Sequence, residues 1–314
     1  MDRVAELQLL DALGHNFTAC KKFGLGAYGT VGKFTLTESG RQTFPELPGT
    51  VVVKSMSLDH GSPERNTLQR HVINNELEIF GDLKQYEILN GGPLAGSVKY
   101  YTAFRTQEPA EHVHIVMALA PGSELFELIT EDDFQYGVDL ATKLAIVNQI
   151  AIVLHKWHKA GFIHRDIKTE NIVVNLINRE AQPPIVEITF VDYGFACNVK
   201  KAEPSESSKW LRHRYLGTKA LTDPLSKPTS LKSLHLDDWW SYGQLIYVVL
   251  TGYSLYSRSK GFKVAPYHMM MSRGLSRQLC DLIQRLTDPV LDRTVRPTPE
   301  EILQCLSSVT SLNN

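Results

Sequence analysis

The chain has 314 residues, 43% of them hydrophobic and 21% charged, with a formal net charge of −1. That length predicts two domains or one large two-lobed domain, and the composition excludes a disordered chain. Near-neutral charge gives no sign of nucleic-acid or anionic-membrane binding. The four dispersed cysteines (Cys20, Cys197, Cys280 and Cys305) read as reduced thiols of an intracellular protein.

The opening "MDRVAELQLLDALG" is acidic and amphipathic, which predicts a helical extension over 1–17 and no secretory signal. "TACKKFGLGAYGTVGKFTLTES" reads as two extended runs joined by a glycine-rich turn. In the second run Phe34 and Leu36 alternate with Lys33, Thr35 and Thr37, the period of a half-buried strand. "TVVVKSMSL" is a further β-branched run. Ser62 and Pro63 then open a helix with apolar residues at Leu68, Val72, Phe80 and Leu83. "VKYYTAF" and "VHIVMAL" predict two more strands, and "APGSE" breaks the pattern as a hinge. Beyond it helices dominate, over roughly 139–160, 237–251, 275–286 and 299–307. "WWSYGQLIYVVLTG" is the most apolar run but is shorter than the ~20 residues needed to span a bilayer, so it reads as a buried helix. A small β-rich lobe joined to a larger helical one gives an α+β, two-lobed fold, with a ligand cleft expected between the lobes.

Three features carry chemistry. "GLGAYGTV" sets Gly24, Gly26, Gly29 and Val31 in a Gly-x-Gly-x-x-Gly-x-Val pattern, whose bare backbone can fold over phosphates. A Rossmann fingerprint would need a helix next, and a Walker A loop would need glycine where Ala27 stands, so a strand–turn–strand remains. Lys54 ends a run of three valines, and a buried ammonium there needs an anion. Glu76 falls in the same i, i+4 row as Leu68, Val72 and Phe80, so it points inward, unlike Glu78. "FIHRDIKTENIVV" pins His164, Arg165, Asp166, Lys168 and Asn171 between apolar ends, a polar loop on a rigid scaffold. "ITFVDYGFA" ends an apolar strand in Asp192. Its carboxylate and the Asn171 amide oxygen are the hard ligands Mg2+ wants, which frees Asp166 to take a hydroxyl proton.

This ordered set resembles the eukaryotic-type serine/threonine protein kinases over residues 18–308, with a short tail at 309–314. The resemblance implies a β-rich lobe to 117, a hinge at 118–123 and a helical lobe from 124. It implies ATP under Gly24, Leu25, Gly26 and Gly29, with Lys54 on its α- and β-phosphates and paired to Glu76. Met117 would be the gatekeeper, Ala118 and Ala120 would meet adenine through their backbone, and Glu124 would lie near the ribose. Val31, Val52 and Val173 would sandwich the base. Asp166 would be the catalytic base, Lys168 would steady the γ-phosphate, and Asn171 and Asp192 would hold Mg2+. Asp238 in "DDWWSYG" would brace the catalytic loop. The acceptor would be a serine or threonine of a protein substrate in the cytoplasm, with no nucleic-acid partner and no membrane insertion. His158 and His164 match structural histidines of the family. A metal site of His155 with His158 lacks a third ligand nearby.

Departures matter as well. "GTKALTDPL" keeps Gly217, Thr218 and Pro224 but has Leu225 where the family has glutamate, so Arg296 must find another partner. Ser205, Ser207 and Ser208, in a loop rich in lysine and arginine, are expected phosphorylation sites that Arg165 could clasp. This divergence suggests an outlying member, viral or a bacterial effector. The rivals are a pseudokinase scaffold, which fits poorly because no nucleotide or metal residue is missing, and a small-molecule phosphotransferase, which usually lacks the His-Arg-Asp-x-Lys arrangement.

Overall fold

Phe34 and Leu36 are buried while their neighbours in sequence are half-buried, the alternation that makes Gly29–Leu36 a strand with one core face. The computed structural model describes residues 14–26, 29–58, 62–107, 111–130, 134, 138–178, 180–181, 184–212, 214, 218, 221–226, 234–257, 259 and 261–312. Numbered along the chain, the first strands are β1 (Phe17–Gly26), β2 (Gly29–Leu36), β3 (Thr50–Ser57), β4 (Tyr100–Thr106) and β5 (His112–Met117). They form one antiparallel sheet in the order β1-β2-β3-β5-β4.

Val51 and Val53 face an apolar cluster with Phe17, Phe34, Leu36 and Val116. Alternation therefore turns Val52 and Lys54 to the other face. Gly29 is required by the sheet itself, because a Cβ there would come 2.4 Å from the Ser55 carbonyl oxygen on β3. A short helix, α1 (Glu38–Thr43), was not expected. It is capped by Thr37, whose Oγ1 accepts from Gly40 N at 3.1 Å. The long helix α2 (Pro63–Asn90) begins at the predicted cap, with Ser62 Oγ accepting from Arg65 N at 3.3 Å. It ends at Gly91 in the left-handed region. Phe80 on α2 stacks on Tyr100 of β4 with ring centres 4.9 Å apart.

Residues up to Pro93, with Val98–Ala120, form one unit. Leu94–Ser97, with the chain from Pro121 on, form the second. The second unit is built round α4 (Leu140–Ala160) and α6 (Leu234–Thr251), with α3 (Leu125–Thr130) and α5 (Glu206–Arg212) between strands and loops. Asp139 caps α4 by accepting from Thr142 N at 2.7 Å, and Gly161 closes it with φ 96°. Tyr242 of α6 donates its hydroxyl to the Val147 carbonyl of α4 at 3.0 Å, which ties the two helices. α6 is buried on nearly all sides, as the most apolar run of the sequence predicts. Strands β6 (Ser123–Glu124), β8 (Ile172–Asn178) and β9 (Ile185–Phe190) make a small sheet, while β7 (Phe162–Ile163) pairs with β10 (Cys197–Asn198). The unit closes with α7 (Tyr267–Ser272), α8 (Arg277–Thr287) and α9 (Pro299–Leu312).

Two expected boundaries move. Residues 1–13 of the expected N-terminal helix lie outside the described residues, Gly14–Asn16 form a single 3-10 turn, and Phe17 already belongs to β1 because its ring is core. The expected tail at 309 is a continuation of α9. Val309 extends the buried row of Ile302, Cys305 and Leu306. No helix among the described residues is long and apolar enough to cross a membrane.

Candidate active site

In the first unit the strand register brings the predicted nucleotide residues to one face. Val31 lies opposite Lys54 across β2 and β3, and Val52 lies opposite Met117 across β3 and β5. Val31, Val52, Lys54 and Met117 therefore share a face. Lys54 and Glu76 form the expected pair, with Nζ 2.9 Å from Oε1 and 2.7 Å from Oε2. Both are buried, so each supplies the counter-charge the other needs. β1 carries Gly24, Leu25 and Gly26, and Gly26 pairs with Gly29 at the tip of the hairpin. After Met117, Ala118 N donates to the Lys99 carbonyl at 2.8 Å. Ala120 is half-buried. His114, between these strands, is a structural bridge. Its ring nitrogens lie 2.8 Å from Ser55 Oγ and 3.0 Å from Thr106 Oγ1. Burial, then His112, pushes its pKa down to about 4, so the ring is neutral.

In the second unit the loop after β7 is held from below by Asp238 of α6. Its carboxylate accepts from His164 N at 2.9 Å and Arg165 N at 2.7 Å, and it lies 2.9 Å from His158 Nε2. Burial works to raise the Asp238 pKa, but the bond and charge of His158, with His164, hold it below the ordinary carboxylate value. The brace secures a strained turn, since Arg165 has φ 66°, a left-handed value that costs a non-glycine residue about 1–3 kcal/mol. Asp192, after β9, is strained in the same way at φ 64°. Burial lowers the His164 pKa, and its Nε2 lies 3.2 Å from the Val191 carbonyl, so the neutral ring donates from Nε2. Among the described residues no group of three histidine, cysteine or acidic side chains is placed to hold a metal.

Asp166 is nearly buried and engaged on both oxygens. Oδ1 accepts from Thr218 N at 3.1 Å and Thr218 Oγ1 at 3.2 Å. Oδ2 accepts from Asn171 Nδ2 at 2.9 Å and lies 2.8 Å from Lys168 Nζ. Asn171 Nδ2 also donates to the Asp166 carbonyl at 2.9 Å, which fixes the amide with its oxygen turned away. Burial works to lower the Lys168 pKa, yet Asp166, Asp192 and Glu170 raise it overall, so the amine stays charged. Val173 of β8 lies opposite Glu124 of β6, on the face away from buried Ile172 and Val174.

A sequence profile described as "Protein kinase domain" matches residues 17–306. The chain belongs to the protein kinase family. Curated relatives include two calcium and calcium/calmodulin-dependent serine/threonine-protein kinases. One, from Lotus japonicus, is 28% identical over 62% of this chain and 36% of its own length. The other, from Pisum sativum, is 24% identical over 78% of this chain and 45% of its own. Serine/threonine-protein kinase PKH3 from Eremothecium gossypii is 25% identical over 76% of this chain and 28% of its own length. The chain thus spans less than half of each of these serine/threonine kinases.

The segment 221–226 is anchored through a residue the sequence reading missed. Asp223, fully buried, takes Arg296 in a two-pronged bond, Nη1 to Oδ2 at 2.6 Å and Nη2 to Oδ1 at 3.2 Å. Leu225, where the family has glutamate, is partly exposed instead. The available signal was an aspartate two positions before Leu225 in a stretch otherwise short of carboxylates. The expected basic loop is also more ordered than its polarity suggested. Ser207 and Ser208 are buried in α5, while Ser205 is exposed and its Oγ accepts from Ser208 N at 3.2 Å. Arg165, expected to clasp a phosphate there, donates to the carbonyls of Leu211 at 3.0 Å and Arg214 at 2.9 Å.

Proposed function

We propose that this kinase domain transfers the γ-phosphoryl group of ATP, with Mg2+, to serine or threonine hydroxyls of protein substrates. The observation that carries the reading is the Asp166 carboxylate, held by Asn171, Lys168 and Thr218 around one point. A carboxylate fixed in this way can accept the proton of an acceptor hydroxyl as that oxygen bonds to the γ-phosphorus and the bond to the β-phosphate oxygen breaks, releasing ADP. Lys168 offsets charge on the transferred group. Lys168 two places after Asp166, with Thr218 Oγ1 3.5 Å from its amine, resembles the serine/threonine arrangement of the family and supports an aliphatic acceptor.

The residues present fit a divalent cation. Asn171 spends its amide nitrogen on Asp166 and so presents oxygen, and Asp192 adds a carboxylate at the end of β9. Both are hard donors of the kind Mg2+ takes, in a number that leaves room for phosphate and water. Bound Mg2+ supplies neutralisation of the phosphate charge. On the first unit, Gly24, Leu25, Gly26 and Gly29 would cover the phosphates and Lys54, oriented by Glu76, would hold two of them. Val31, Val52 and Met117 would offer an apolar face to adenine, with the Ala118 carbonyl and Ala120 backbone as polar contacts. On the second, Val173 would complete the apolar contact and Glu124 would take the ribose.

Two substitutions separate the roles. Asp166→Asn is expected to lower kcat by about 10²–10⁴-fold with nucleotide affinity nearly unchanged. Asp192→Asn is expected to weaken Mg-ATP binding itself, read by titration with a fluorescent nucleotide. Near wild-type turnover in Asp166→Asn would remove the base from the reading.

A further inference from the structure

Arg293 lies outside every motif of the sequence, yet it is almost buried and touches two acidic residues on different elements. Its Nη2 lies 2.6 Å from Asp237 Oδ1 at the start of α6. Its Nε lies 3.0 Å from Asp223 Oδ2, close enough for an ion pair though not aligned as a hydrogen bond. Asp223 is the residue that also holds Arg296, so two arginines and two aspartates form one charge-balanced group. Arg296 rests besides on the Trp240 ring, 4.6 Å from its centre.

Both ends of the Arg293 contact lead to Asp166. On one side, Asp223 stands five residues after Thr218, next to Leu221 and Thr222, which bond back to that threonine. Leu221 N donates to the Thr218 carbonyl at 2.7 Å, Thr222 Oγ1 donates to the same oxygen at 3.2 Å, and Thr218 itself binds Asp166. On the other side, Asp237 is the chain neighbour of Asp238, which holds the backbone of His164 and Arg165 just before Asp166. Asp166, Thr218, Ser226 and Asp237 line one small pocket, so the two routes meet in space.

We infer that Arg293 is a positioning residue for phosphoryl transfer, tying the segment that carries Thr218 to the helix that braces the catalytic loop. Its planar fork lets one side chain serve two carboxylates in a fixed geometry that a flexible lysine does not impose. The inference rests on the kinase reading above, but its physical core, a bridge between two elements, can be tested without turnover. Asp237 faces Arg293, Ser226, Asp223 and Asp238, and shares its pocket with Arg165, Asp166 and Arg214. Burial first, opposed by Arg293 and Ser226 and reinforced by Asp223 and Asp238, pushes its pKa up to about 6. The bridge should therefore weaken in mildly acidic solution.

The experiment compares wild type with Arg293→Met, Asp237→Asn and the double variant. Hydrogen exchange is followed in the segments 163–167 and 218–226, and kcat, peptide KM and ATP affinity are measured over a pH series. Each single variant is expected to speed exchange in both segments and to lower kcat by about 10–100-fold, with ATP affinity unchanged. The double variant should lose no more than the worse single, because both break the same bridge. Asp237→Asn should also remove the acid limb of kcat near pH 6. Unchanged exchange in both segments, or losses that add in the double variant, would overturn the inference. Should Arg293→Met fail to fold, the near-isosteric Asp237→Asn carries the same readouts. An inactive wild type would count against the kinase reading alone, and exchange would still decide the bridge.

Discussion

Burial and two neighbouring carboxylates, Glu127 and Glu170, push the Glu124 pKa up to about 7, against the pull of Lys168. The ordinary value is 4.5, so folding favours the protonated form over the interval between them. A carboxyl whose pKa rises on folding contributes stability in acid, and that contribution is lost as pH climbs through the folded value. The melting temperature should therefore carry a component that falls between about pH 5 and pH 8. Glu124→Gln should abolish that component, and a thermal-denaturation series in matched buffers checks it. Because Glu124 is also the proposed ribose contact, the same titration should appear in nucleotide affinity. Asp238 has the opposite sign, since its pKa is held low and its contribution is lost only in strong acid.

At the scale of elements, the segment 221–226 is secured by a carboxylate two residues away from where the family keeps one. Arg296 and Arg293 are both buried or nearly so, and Asp223 is the counter-ion they share. Removing one partner of such a group leaves uncompensated charge in the interior, so Asp223→Ala is expected to cost about 3–5 kcal/mol. Leu225→Ala, at a partly exposed position, should cost under about 0.5 kcal/mol. All four tryptophans (Trp157, Trp210, Trp239 and Trp240) lie in the second unit, so denaturant unfolding followed by their fluorescence reports on this unit directly. Equal losses in the two variants would mean that the anchor is elsewhere.

Across the whole molecule, sequence pattern was most informative where a local rule and a long-range contact agreed. α2 could be read because Ser62 and Pro63 mark its start and Glu76 sits on its apolar row, opposite a lysine that needs it. The loop around Asp166 could be read because apolar strands pin both its ends. α1 and α5 could not, since six or seven residues are too few to display a helical period. Ser207 and Ser208 looked like solvated loop because their polarity says nothing of the helix that buries them. Asp223 and Arg293 were invisible for a different reason. Their significance is the pairing itself, and side chains 70 residues apart carry no local pattern that announces it.

Family membership rests on the match over residues 17–306, and the central claim is phosphoryl transfer to serine and threonine. The most direct measurement is incubation of the purified chain with γ-labelled ATP, Mg2+ and generic protein substrates, followed by phosphoamino-acid analysis. Label in phosphoserine and phosphothreonine, lost in Asp166→Asn, is the predicted result. Label mainly in phosphotyrosine, label undiminished in Asp166→Asn, or no transfer by a chain that still binds ATP would contradict the account.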